Sequence, residues 1–356
     1  MMIVPYIVLA AAGAMAVKAT PFDEQNEQEM EDYLNSGQPL FETGAPTMSS
    51  EDFESRIMDP EYLDLKEGKL PRTALIELAA GQNKTIPPSF DAREKWPECK
   101  SIRLVRNQAN CGSCWAVSVA SVMSDRLCIA SNQSTQTLLS ATDILSCCDE
   151  CTPQPCAGSN PLYAWAYLQS HGVCSGGPYN RKSVCKPYVF RPCSYSKKEK
   201  MHYGPCNYNR TSPKPMCLKK CLQDYKKSYT EDKVYGNYYK VSDDEREIQK
   251  EIMTYGPVQA SMAVYDDFHK YKNGIYYHKR VSGEKLKGVH AVKIIGWGVE
   301  EVEGVNNKKF NMKYWLISNS WGADWGEDGL FRIVRGAKKF NCQIEWMVNA
   351  GHPKTQ

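Results

Sequence analysis

The chain has 356 residues, 42% of them hydrophobic, and a formal net charge of +3, which excludes a wholly disordered protein and leaves room for two or three domains. Its basic residues form no repeat with aromatic ones, so the charge does not indicate a nucleic-acid partner. Fifteen cysteines, none before Cys99, point to a disulfide-stapled domain in an oxidising compartment, and their odd number leaves at least one thiol unpaired within the chain.

The first 19 residues carry an apolar run from Ile3 to Val17 that ends in small residues, with cleavage expected after Ala19 or Ala16. This is a secretory signal pattern, although without a basic n-region, and too short for a good membrane span. No membrane attachment is expected after its removal, and a secreted or lysosomal protein follows. Residues 20–85 hold fifteen Asp and Glu against five Lys and Arg, whereas residues 86–356 hold 26 acids against 38 bases. Such opposed segments attract at neutral pH and loosen as carboxylates protonate. The acidic segment ends in GQNKTIPPSF, where two prolines and a sequon mark an exposed joint, so residues 20–85 read as a propeptide cut near Ile86 rather than as a solvated tail.

Beyond the joint, SCWAVSVASVMSDRLCIAS places Trp115, Val119, Val122, Met123 and Leu127 at helical spacing, with Cys114 in the first turn. SATDILSCC opens with a Ser140 to Asp143 capping pattern, and PLYAWAYLQSHG has Pro161 at its start and Gly172 at its end, so both read as helices. From Cys185 to Cys221 the chain is dense in Pro, Cys and Lys with no period, which reads as a stapled loop. After it, Ser242 to Glu245 is expected to cap a helix running through Tyr255. VQASMAVY, GIYYH, HAVKIIGWG, KYWLISNSW and GLFRIVRG then read as strands. Helices first and strands later give an α+β class with two lobes and a cleft between them. Asn83, Asn132 and Asn209 head the three glycosylation sequons.

In NQANCGSCWAVS, Cys111 and Cys114 are open to three readings: a metal knuckle, a redox pair, or one structural and one reactive cysteine. A thiol at a helix start meets unpaired N–H groups and the positive end of the helix dipole, which favour thiolate, and only Cys114 is so placed. A nucleophilic thiolate also needs a proton acceptor, a group that orients it, and donors for an oxyanion. Of six histidines, His290 opens the apolar HAVKIIGWG after the flexible Lys287, Gly288 and Val289, which places it at the rim of a sheet. Asn319 is the candidate orienting amide, with Trp321 shielding the hydrogen bond from water. The Gln108 side chain and the Cys114 backbone N–H are the candidate oxyanion donors.

In this order Q-x-x-C-G-S-C-W, H-A-V and N-S-W resemble the papain family of cysteine proteases. His290 and Asn319 lie 176 and 205 residues after Cys114, farther than is usual in that family, so an insertion is required. IPPSFDAREKWPEC, SDRLCI, the vicinal Cys147 and Cys148, the doubly stapled loop and the short prosegment are similar to cathepsin B. YWLISNSWGADWGE, Tyr314 to Glu327, further resembles a signature of helminth gut cathepsin B enzymes that digest haemoglobin. The resemblance implies a papain-like fold over residues 86–356, with a helical left lobe at about 98–236, an occluding-type loop at 185–221, and a β-barrel-like right lobe at about 237–346.

It also implies six disulfides, Cys99–Cys128, Cys111–Cys156, Cys147–Cys217, Cys148–Cys151, Cys185–Cys221 and Cys193–Cys206, leaving Cys114, Cys174 and Cys342. With Cys111 committed to Cys156, the metal and redox readings of CGSC fail, and no metal or other cofactor is expected. By the same resemblance, Gly158 and Ser159 meet the substrate backbone, where Ser159 in place of a usual glycine is expected to crowd it. Pro161, Ser261, Ala291 and Met347 line the pocket for the second residue before the scissile bond, P2, and apolar Met347 favours Leu, Val, Phe or Tyr over Arg.

Cathepsin B trims C-terminal dipeptides with two loop histidines. Tyr195 and Ser196 stand at those positions here, and Asn107 and Tyr203 replace two anchors of the closed loop, an aspartate and the arginine that would pair with Asp324. The expected activity is therefore that of an endopeptidase, a dipeptidyl carboxypeptidase being the alternative and a non-catalytic peptide-binding homologue the rival from another class. Expected partners are protein and peptide substrates, the chain's own propeptide as inhibitor and cystatin-type inhibitors, with the enzyme a monomer in an endolysosome or gut lumen.

Overall fold

A computed structural model describes residues 21–63, 85–193, 204, 206, 208–304, 307 and 309–354. The expected signal segment, Asn83, Tyr195, Ser196 and Tyr203 lie outside these residues. The prosegment, weakly periodic in sequence, forms helix α1 (Pro21–Ser36), strand β1 (Phe41–Thr43), helix α2 (Ser50–Arg56) and a 3-10 turn at Pro60–Leu63. Ser49 caps α2 by accepting from the Asp52 N–H at 3.1 Å.

The next segment contributes strand β2 (Phe90–Asp91) and the short helices α3 (Ala92–Lys95) and α4 (Lys100–Arg103). Helix α5 (Cys114–Ala130) follows, with 14 of its 17 residues buried. A helix covered on all sides carries apolar or small residues all round, as CWAVSVASVM does. Helices α6 (Ala141–Cys147) and α7 (Pro161–His171) pack on it, α6 capped by Ser140 and α7 by Asn160, and Gly172 ends α7 at a φ of +66°. Trp115, Val119, Val122, Met123, Leu145, Trp165 and Leu168 belong to the core of this helical lobe.

The remaining elements are β3 (Gly236–Lys240), α8 (Glu245–Tyr255), β4 (Val258–Val264), β5 (Tyr271–Tyr276), β6 (Gly288–Glu303), β7 (Lys309–Ser318), β8 (Leu330–Val334) and β9 (Met347–Pro353). They make a sheet in the order β1-β5-β8-β7-β6-β4-β9-β3, with β2 paired to β6. Only β5 and β8 run parallel among these pairs.

Several sequence boundaries shift. The cap of α8 is Asp244, whose carboxylate accepts from the Arg246 and Glu247 N–H groups, while Ser242 serves only the Asp244 N–H. Strand β6 begins at Gly288, two residues before His290, because Val289 already pairs with Ala263 of β4. The sheet also extends past residue 346, since β9 closes on β3 and β4, and it takes in β2 from the start of the mature domain. Neither β3 nor β9 has the alternating pattern of a half-exposed strand; β9 is buried from Met347 to Gly351.

Two buried ion pairs join α5 to the β lobe. Arg126 donates to Glu251 at 2.7 Å, and Lys293 donates to Asp125 at 2.8 Å. The structure forms the disulfides Cys99–Cys128, Cys111–Cys156, Cys147–Cys217, Cys148–Cys151, Cys185–Cys221 and Cys193–Cys206, and leaves Cys114, Cys174 and Cys342 free and buried. Among the described residues no helix is long and apolar enough to cross a membrane.

Candidate active site

Cys111–Cys156 fixes the turn that leads into α5, and the Gly112 N–H donates to the Cys156 carbonyl at 2.8 Å. A Cβ at residue 112 would lie 2.5 Å from that carbonyl oxygen, so only glycine lets the two strands of the turn approach. Ser113 precedes the helix without capping it; its hydroxyl is 2.8 Å from that of Tyr188. The first-turn N–H groups therefore stay available to Cys114, the first residue of α5.

Burial pushes the Cys114 thiol up to about 12, although the N–H groups of Ala291, Trp115 and Cys114 itself pull it down. The Ala291 contact brings the sulfur to β6, beside His290, and nothing in the sequence pattern pointed to it. Burial likewise lowers His290 to about 4, against the raising effect of its bond to Asn319. The sequence placed this imidazole at the rim of a sheet; it is the third residue of β6, opposite Met262, and fully buried.

His290 Nε2 lies 2.7 Å from Asn319 Oδ1, which also accepts from the Ser320 N–H at 2.7 Å. An oxygen at that position requires Nε2 to carry the hydrogen, so Nδ1 presents its lone pair, and Nδ1 has no partner among the described residues. Trp321 tilts over the imidazole with ring centroids 4.7 Å apart. The expected histidine, amide and shield thus assemble, with thiol and imidazole both neutral in this form.

The prosegment runs beside this pair, bonded to Gln108 and Val289. Gln108 is fixed by Ser320, whose hydroxyl donates to Oε1 at 2.6 Å, and its Nε2 donates to the Arg56 carbonyl at 2.8 Å and the Cys111 carbonyl at 2.8 Å. A prosegment carbonyl therefore occupies the amide expected to meet an oxyanion. Met58 exchanges two backbone hydrogen bonds with Val289, at 2.8 and 3.0 Å, and the Asp59 N–H donates to the Ala157 carbonyl at 3.2 Å. Ile57 and Met58 are fully buried, Ile57 in the core of the β lobe and Met58 in that of the helical lobe. Phe53 stacks on His269 at 4.6 Å and meets the Trp321 ring edge to face at 5.7 Å.

Gly158, at a φ of +126°, lies under this strand, and a Cβ there would come within 2.7 Å of Met58 and of Tyr62. Ser159 departs from expectation: its hydroxyl donates to the Cys151 carbonyl at 2.7 Å and is buried within its own loop. Ser261 is paired with Ala291 on one side and Met347 on the other, so the three side chains form one row across β6, β4 and β9. Pro161 is the buried first residue of α7. Asn132 and Asn209 are both exposed.

Opposite charges meet where prosegment and mature domain touch, in the ion pairs Glu27–Lys313, Glu31–Lys339, Glu54–Lys287 and Asp59–Arg210. These are surface pairs, each worth about 0–1 kcal/mol, so apolar burial and backbone pairing hold the strand more firmly than charge does. Sequence reasoning missed Asn110, Ala157, Val289 and Arg210 as prosegment contacts, since Ala157 and Val289 act through their backbone and Asn110 and Arg210 sit in loops that have no period.

Residues 86–352 match the family described as papain family cysteine protease. The chain is 47% identical over 271 residues to cathepsin B-like cysteine proteinase 6 of Caenorhabditis elegans, covering 76% of this chain and 67% of the relative. Against cathepsin B-like cysteine proteinase 1 of Haemonchus contortus it is 45% identical over 326 residues, covering 91% and 88%. Among solved structures, procathepsin B S9 from Trypanosoma congolense superposes with a TM-score of 0.69 at 30% identity, covering 95% of this chain and 99% of that one.

Proposed function

The chain belongs to the papain family of cysteine proteases, and on that premise we propose that it is a secreted or lysosomal endopeptidase that cuts inside unfolded proteins after its prosegment is removed. The observation that carries the reading is the Nε2–H tautomer of His290, fixed by Asn319, which leaves Nδ1 free to take the Cys114 proton. Cys114 and His290 exchange one proton between them, so the thiolate-imidazolium pair needs no proton from solvent, only water and polarity in place of the prosegment. The thiolate attacks the substrate carbonyl carbon, and the Gln108 amide and Cys114 N–H hold the oxyanion. The imidazolium protonates the departing amine, and water, deprotonated by His290, then hydrolyses the thioester. The acidic prosegment faces a basic mature domain, and an attraction between opposed net charges weakens in an acidic compartment, which favours its release.

Endopeptidase action is supported by the loop's missing anchors. The Asn107 side chain turns back to accept from the Ala109 N–H at 2.9 Å, and Asp324 Oδ2 is buried without a partner among the described residues. A loop without those pins leaves the far end of the cleft open to a continuing chain. Peptides with an amidated C-terminus should be cleaved within about twofold of the free acids, because a group that grips the carboxylate would otherwise contribute about 1.5–3 kcal/mol. A loss of tenfold or more on amidation would mean a dipeptidyl carboxypeptidase instead.

The row of Ala291, Ser261 and Met347 supports an apolar P2 preference. Met347→Glu should raise kcat/KM for Arg at P2 relative to Leu by about 1–3 kcal/mol, read from matched fluorogenic peptides. The resemblance of residues 314–327 to haemoglobin-digesting enzymes supports general protein digestion in a gut lumen or endolysosome.

A further inference from the structure

Arg56 is only 2% exposed, and its side chain turns to Asn110, Trp321 and Cys193. The prosegment passes from Arg56, whose carbonyl sits on Gln108, through Ile57 to Met58 and Tyr62 over Gly158. If Gly158 marks the side that holds residues before the scissile bond, the Arg56 side chain lies where residues after it bind. There the guanidinium meets three oxygens of the mature domain. Nε donates to Asn110 Oδ1 at 3.1 Å, Nη1 to the Trp321 carbonyl at 3.4 Å and Nη2 to the Cys193 carbonyl at 3.5 Å.

Three acceptors, each facing a different nitrogen of one planar group, match a guanidinium and not an ammonium, which has a single donor centre. Asn110 is buried at 3% exposure with its amide nitrogen turned to Asp52 of the prosegment. When the prosegment leaves, both Arg56 and Asp52 leave with it. Three buried or half-buried oxygens then face the cleft and need donors, and a substrate side chain can supply them.

We propose that Asn110, with the Trp321 and Cys193 carbonyls, forms a subsite selective for arginine at one of the first two residues after the scissile bond. The prosegment occupies it with Arg56 and so blocks recognition on this side as well as the chemistry. The inference rests on the endopeptidase reading above.

The test uses the mature enzyme and internally quenched peptides that differ only in Arg, citrulline, Lys or Leu at each of the two positions. Arg should exceed both citrulline and Leu by about tenfold in kcat/KM at one position, the worth of one charge-assisted hydrogen bond. That Arg-to-Leu ratio should fall toward one in Asn110→Ala and rise in Asn110→Asp, which adds a charge to the same oxygen. A ratio near one in the parent enzyme overturns the subsite, and so does a tenfold ratio that both variants leave unchanged. Should Asn110→Ala not fold, the parent ratio and Asn110→Asp still decide. Absence of cleavage of every peptide would overturn the hydrolase reading and take this inference with it, whereas cleavage without Arg preference sinks the subsite alone.

Discussion

Cys114→Ala is expected to lower kcat by about 10⁶ while leaving the prosegment complex folded, because the nucleophile and its base act as one unit and removal of either takes away the whole covalent route. The sulfur contributes little to the fold beyond filling its site, since alanine keeps the helix start and the first-turn N–H groups. A second arm separates reactivity from presence. In the zymogen the thiol is pushed to about 12 and the imidazole to about 4, so between those limits neither is charged and the sulfur is a poor nucleophile. Iodoacetamide at pH 6 should therefore modify Cys114 at least roughly 10² times faster after prosegment removal than before it. Equal rates in the two forms would mean that burial by the prosegment does not govern the thiol. Activity surviving in Cys114→Ala would end the mechanism altogether.

Arg126→Ala should cost about 3–5 kcal/mol and lower Tm by on the order of 10 °C, because it leaves the Glu251 carboxylate buried without its cation. Arg126 is 1% exposed and lies in the last turns of α5, twelve residues from Cys114 and thus about 18 Å along the helix. It donates to Glu251 at 2.7 Å, to Tyr239 at 2.9 Å and to the carbonyls of Pro257 at 2.8 Å, Gly256 at 3.0 Å and Gly351 at 3.4 Å. Burial alone would lower this guanidinium, but Tyr239 and Glu251 outweigh it and hold it raised. Five partners on the β lobe from one helical side chain fix the angle between the lobes, and with it the approach of Cys114 to His290. The double change Arg126→Met with Glu251→Met should recover most of the loss, since apolar replacement of a complete buried pair is often neutral. Calorimetry and kcat/KM on the same samples read both effects; a single variant losing under 1 kcal/mol would remove Arg126 as the lobe anchor.

Legibility followed the range of each interaction. Helices α5, α6 and α7 could be read because their signals are local: a serine cap at 140, Pro161 and Gly172 at the ends, apolar spacing within. The disulfides came through resemblance, since spacing alone does not choose among pairings. Strands β3 and β9 were invisible because neither alternates, with helix α7 packed on β3 and α5 on β9. The raised thiol of Cys114 in this form was not legible for a related reason: the helix start argues for thiolate, whereas the burial that opposes it comes from segments distant in sequence. Asn319 and Gln108 could be named from their motifs, yet the lone pair left on Nδ1 required the Ser320 N–H to show which way the amide faces.

Neighbouring Ile57 and Met58 bury their side chains in opposite walls, which only an extended chain can do; on a helix, adjacent side chains stand about 100° apart and one wall would go unfilled. Any polypeptide that takes their place must first surrender its own coils and folds over the same span. The pace of cleavage would then be set by how readily the protein being cut comes undone.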